Sequence, residues 1–242
     1  MKKQFGEEET LKLIDDLQVL LAETVASIVG KKTTGEVSYL RWGASRICKI
    51  VEGYSELRRR QMIHASKILI RPVMETTAAV VAAFRRTGFL FQKSYCEYEE
   101  DKTLLVEFRN VMETAKEQTG SVEQKLEELE LSWEQSKSCW SHFQPDVPQK
   151  CEKLSFPGIL HVAGLNGWYA QYRLYCQFTH GTMRAASGNF DEMTDPADNL
   201  IIAHFTLIIL DHLKKYAPVE MVDLAPFWHR ANLLRNGAYQ IT

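Results

Sequence analysis

Two short patterns in this chain carry residue types that chemistry uses. Arg173 and His180 stand two helical turns apart, about 10 Å along a helix axis. A histidine so placed can take or give a proton, and an arginine can hold a phosphate. Tyr169, Cys176 and Arg184 fall on the same face of that helix. Farther up the chain, His64, Arg71 and Glu75 are spaced to lie close to one line of a continuous helix. Arg71 and Glu75 form an i,i+4 ion pair, and Ile68, Ala78, Ala79 and Ala82 around them make a face that another helix would cover. A buried structural pair is therefore expected, with a functional pocket and a wet surface pair as the other readings. Arg58-Arg59-Arg60 and Arg85-Arg86 are basic turns that could touch phosphate, solvated turns being the simpler reading.

The common catalytic signatures are missing. The chain has no H-E-x-x-H, no E-x-x-H pair, no G-x-G-x-x-G and no G-x-S-x-G. Gly30-Lys31 is not a phosphate loop, because Val25 stands where the leading glycine would be. No metal and no cofactor are expected on these grounds. With 29 Lys and Arg against 31 Asp and Glu, no overall field draws nucleic acid or an anionic membrane, so such contact needs a local patch. Five cysteines without a C-x-x-C pair, and no signal-like start, suggest thiols in a reducing compartment. The longest apolar run, Leu200 to Leu210, is too short to span a bilayer, so a cytoplasmic protein without a membrane partner is expected.

The elements that must position these residues are helices. Glycine and proline are sparse, and apolar residues recur at steps of three and four. The pattern predicts helices over about 7–29, 38–52 and 55–87, with stops at Gly53 and Gly88 and a kink before Pro72. Next comes a helical hairpin near 89–141, whose second arm opens on a Ser121–Gln124 capping box. That arm carries a seam of Val122, Leu126, Leu129, Trp133 and Trp140. An irregular loop follows near 142–158, then helices over about 159–187, 197–216 and 218–234. Asp195-Pro196 should start the second of these, which is apolar on nearly all sides and belongs at the centre. The fold expected is a single all-α domain over 1–242, a bundle of about seven or eight helices.

Ala65-Ser66-Lys67-Ile68-Leu69-Ile70-Arg71-Pro72-Val73-Met74-Glu75 resembles the R-x-x-x-E helix of a bacterial all-helical family of unknown function. Tyr172-Arg173-Leu174-Tyr175-Cys176-Gln177-Phe178-Thr179-His180-Gly181 resembles the Y-R-x-x-S-x-x-x-H helix of the same family, with Cys176 where the pattern has serine. That resemblance points to Arg71, Glu75 and His180 and implies no activity. Arg173 and His180 also resemble the Arg-x(4–6)-His motif of HEPN domains, although Leu174 stands where those domains usually carry a polar residue. That likeness implies RNA cleavage without a metal, a homodimer with a composite site, and a role as a toxin or in phage defence. It implies His180 as the proton-transfer group and Arg173 on the scissile phosphate. Arg71, Glu75, Tyr172 and Tyr169 are the candidate binding residues read separately from it.

Three readings of function stand together at this point. One is an HEPN-like ribonuclease or RNA-binding component. The second is a non-enzymatic interaction or regulatory module whose Arg71, Glu75 and His180 are structural. The third is an enzyme or sensor that holds a small anion between Arg71 and Arg173.

Overall fold

Glycines and prolines do not mark the helix ends as simply as their counts suggest. The computed structural model describes residues 7–31, 35–143, 154–179, 191–217 and 219–239, and every regular element among these is a helix. The all-α class is as expected. α1 (Glu7–Ile28) is followed by α2 (Gly35–Arg59), which runs straight through Gly53 instead of ending there. Tertiary packing carries the helix across this residue, which lies against Leu69. The real stop comes at Gln61, whose φ is 60°. The Met62 N–H donates to the Leu57 carbonyl at 2.9 Å and the Gln61 N–H to that of Arg58 at 3.0 Å. This is a Schellman cap with glutamine in the place glycine usually takes.

α3 (Ile63–Ile68) and α4 (Ile70–Arg85) replace the single long helix expected over this stretch. The interruption ahead of Pro72 is a full break at Leu69. It leaves Pro72 in the first turn of α4, where a missing N–H costs nothing. The expected helix over 159–187 is likewise divided, into α7 (Phe156–Ala163), a 3-10 turn (Asn166–Trp168) and α8 (Tyr169–Thr179). Gly164, at φ 67°, makes the divide. Leu165 N–H donates to Leu160 at 2.8 Å and Gly164 N–H to His161 at 3.0 Å, a second Schellman cap. α9 (Asp191–Tyr216) begins ahead of Asp195-Pro196, and α10 (Ala225–Tyr239) closes the order.

The chain forms two compact units, Met1–Ala82 with Leu160–Thr242, and Ala83–Ile159. In the first, α9 is the central helix, as its all-round apolar character requires. Ile201, Ile202, Phe205, Leu207, Ile209, Leu210 and Leu213 are all buried. It packs on α1, α2, α3 and α10. α2 and α4 approach closely at Gly43, where an added Cβ would stand 2.5 Å from Val80 Cγ2.

The second unit holds the hairpin of α5 (Phe89–Thr114) and α6 (Gly120–Phe143). α6 starts before the Ser121–Gln124 pair, and Gln124 donates to Glu128 at 2.9 Å instead of capping. Val122 is buried and Leu126, Leu129 and Trp133 half-buried, as the expected seam requires, with Ser136 equally covered; the Trp140 side chain lies outside the described residues. Trp133 sits among Phe91, Tyr95 and Tyr98, with ring centroids at 5.5, 5.4 and 5.1 Å. Among the described residues no helix is long and apolar enough to cross a membrane.

Candidate functional site

Arg71 and Glu75 are one turn apart near the start of α4, and Arg71 Nε donates to Glu75 Oε1 at 2.8 Å. The same carboxylate oxygen accepts the Tyr172 hydroxyl of α8, also at 2.8 Å. The Arg71 guanidinium carbon lies 5.6 Å from the centre of the Tyr172 ring, so the cation is both paired and stacked. Tyr172 is buried and stacks at 6.4 Å on the exposed Tyr169. Burial, then hydrogen bonds to Cys176 and Glu75, push the Tyr172 phenol above its ordinary range, so it remains a donor. The hydrogen bond to Glu75 likewise holds Arg71 more firmly protonated.

The pair is half-buried, its side chains 24% and 36% exposed, which is neither the sealed ion pair expected nor a wet one. Of the face expected to be covered, Ala78, Ala79 and Ala82 are buried, but Ile68 is exposed. His64 leaves the line it was expected to share, because the break at Leu69 puts it on a separate helix. It is exposed there, with its ring 6.4 Å from that of Phe178. Arg173 is exposed on α8, beside the Tyr172 that fixes this helix to α4. His180 and Arg184 lie outside the described residues. Arg71, Glu75, Tyr172 and Tyr169 are therefore brought together, and Arg173 is next to them.

Sequence reasoning missed a deeper polar system in the same unit. Lys67 of α3 and Asp198 of α9 are fully buried, with Nζ 3.8 Å from Oδ2. The Tyr175 hydroxyl of α8 donates to Asp198 Oδ1 at 2.5 Å, and Lys67 Nζ lies 5.2 Å over the Phe178 ring. Beside it, Tyr54 donates to Asn199 Oδ1 at 2.7 Å, and Asn199 Nδ2 donates to Thr10 Oγ1 at 2.8 Å. These bonds tie α1, α2, α3 and α8 to the head of α9. Arg58, read as one of three solvated arginines, is buried, with Nε 2.9 Å from Glu7 Oε1. Its neighbours pair outward, Arg59 with Asp15 and Arg60 with Glu56. A usable signal existed: Lys67 lies between Ile63 and Ile70 on helical spacing, and Asp198-Asn199 opens the most apolar stretch of the chain.

His204, inside that apolar stretch, packs on Trp168 at 4.8 Å and Trp228 at 5.3 Å. Burial and, secondarily, Arg235 lower its pKa to about 4, so this half-buried histidine is neutral near pH 7. No group of three or more His, Cys, Asp or Glu among the described residues could hold a metal ion. Comparison with family models, with curated proteins and with solved structures finds no match.

Proposed function

We propose that the α4–α8 seam binds single-stranded RNA and that Arg173 and His180 cleave it without a metal. The observation that carries this reading is the Arg71–Glu75–Tyr172 clamp. It fixes α8 on α4 and leaves Arg173 and the Tyr169 ring exposed beside it. An exposed arginine beside an exposed aromatic ring suits a phosphate and its neighbouring base. In such cleavage the RNA 2′-hydroxyl attacks its own phosphorus and passes its proton to a base. The 5′-oxygen leaves with a proton from an acid, and a 2′,3′-cyclic phosphate remains. His180 is assigned to one of these transfers and Arg173 to the charge on the phosphate.

The test is incubation of the purified protein with total RNA in excess chelator. Cleavage to cyclic-phosphate ends is expected, lost by about 10²–10⁴-fold in His180→Ala with an unchanged melting temperature. RNA left intact and unbound by the wild type removes the reading.

One observation favours a second reading, a non-enzymatic interaction module. Glu75 Oε1 accepts from both Arg71 and Tyr172, so the clamp satisfies its own acceptor. On that reading His180→Ala melts early, by several degrees, and changes nothing about RNA.

A further inference from the structure

α2 carries a stack of aromatic and cationic side chains on its outward face. The Tyr39 and Trp42 rings stack with centroids 5.1 Å apart and planes 21° from parallel. The Arg46 guanidinium carbon lies 5.6 Å from the centre of the Trp42 ring. Trp42 is nonetheless 46% exposed, and Arg46 and Lys49 are exposed with it. At 100° per residue, Trp42, Arg46 and Lys49 fall within about 60° of one another. The buried Leu40 lies about 160° round the helix from Trp42, so the stack faces away from the core.

No acid neutralises the cations of this flank. From 37 to 51 the chain has Arg41, Arg46 and Lys49 and neither Asp nor Glu. Among the described residues no ion pair holds any of the three. Glu36 stands about 9 Å along the axis before Trp42, and Glu52 about 9 Å beyond Arg46. Both distances exceed the screening length of about 8 Å at physiological salt. Lys49 is one turn from Glu52 but does not pair with it. On α1, which packs on α2, Asp15 is paired with Arg59. Glu23 lies about 140° round α1 from Gln18, the residue that meets Cys48 of α2.

The make-up of the flank selects its partner. Between 38 and 49 its remaining residues are Ser38 and Ser45, so it offers no aliphatic row to a partner helix or to a bilayer. A ring beside cations suits a single nucleic-acid strand, whose bases stack on the ring while its phosphates meet the cations. We propose that Tyr39, Trp42 and Arg46 form a stacking platform for a base of single-stranded nucleic acid, with Arg41 and Lys49 on the adjoining phosphates. This platform rests on the RNA reading above and gives the same strand a second hold; cleavage at α8 plays no part in it.

The experiment titrates a fluorescein-labelled dodecamer of thymidylate with the full chain and follows its anisotropy. This probe has no 2′-hydroxyl, so it cannot be cut by the route proposed for α8. The wild type is expected to bind it, more weakly as salt rises. Trp42→Ala should weaken binding about 10-fold, the loss of one stacked base, and Trp42→Phe, which keeps a ring, should lose less. Arg46→Gln and Lys49→Gln should each lower the slope of log affinity against log salt by about 0.7, with each variant melting at the wild-type temperature. Equal affinities for Trp42→Ala and wild type, or no binding by the wild type, overturn the platform. If Arg173→Ala abolishes binding and Trp42→Ala does not, the α8 reading survives and the platform falls. If Trp42→Ala weakens binding while total RNA stays uncut by the wild type, the platform stands and the cleavage falls. Binding of polyglutamate or of phosphatidylserine vesicles through Trp42, with no hold on the oligonucleotide, also overturns it.

Discussion

Lys67 and Glu75 sit eight residues apart in sequence but in different dielectric surroundings. Replacing Lys67 by Met strands the Asp198 carboxylate in a dry core, a loss of about 3–5 kcal/mol. Glu75→Ala releases Arg71 to solvent it already touches, so about 1–2 kcal/mol is expected, mostly from the Tyr172 hydroxyl. Urea denaturation of the two variants checks the order. His204 adds a pH dependence. Its folded pKa of about 4 lies below the ordinary value near 6.5, so the unfolded chain takes up a proton the folded chain refuses. That contribution is complete above about pH 6.5, falls as pH drops toward 4, and amounts to at most about 3 kcal/mol. His204→Phe should flatten the wild type's decline across that window in melting curves at pH 7, 5.5 and 4.5. The Arg71–Glu75 pair was legible because helical spacing is local. The Lys67–Asp198 pair was not, because its halves lie on elements that only the tertiary fold brings together.

Helix content was readable from periodicity, but helix ends were not, and two glycines show why. Gly43 and Gly53 both lie inside α2, where alanine is intrinsically better by about 0.5–1 kcal/mol. At Gly53 the nearest atom to an added Cβ is Leu69 Cδ1 at 3.6 Å, an ordinary contact, so Gly53→Ala should stabilise by about that amount. At Gly43 the neighbour is Val80 Cγ2 at 2.5 Å, on a stiff β-branched side chain. Gly43→Ala should therefore destabilise by about 1–3 kcal/mol. Thermal melts of the two variants should move in opposite directions. The converse case is Gln61, which takes a left-handed conformation that sequence reading assigns to glycine. Two glycines inside a helix and a glutamine ending it are choices made by packing between helices, which no local pattern records.

Charge is unevenly divided over the whole molecule. From 89 to 143, the hairpin carries twelve acidic against six basic residues, so the rest of the chain is net positive despite the overall −2. A short single-stranded RNA should therefore slow amide exchange in α8 and leave α5 and α6 unchanged, as read by hydrogen exchange at low salt. Protection of the hairpin instead would contradict that division. The same unit boundaries have a consequence in time. The first unit is built from both ends of the chain, and the Asn199–Thr10 bond closes it across most of the sequence. During synthesis α1, α2 and α3 leave the ribosome long before α9, the helix they pack on. At about 5–20 residues per second the wait is on the order of 10 s. The hairpin, whose contacts are local, can form during that interval. The N-terminal helices are then exposed nascent chain, the stage at which a chaperone would be needed most.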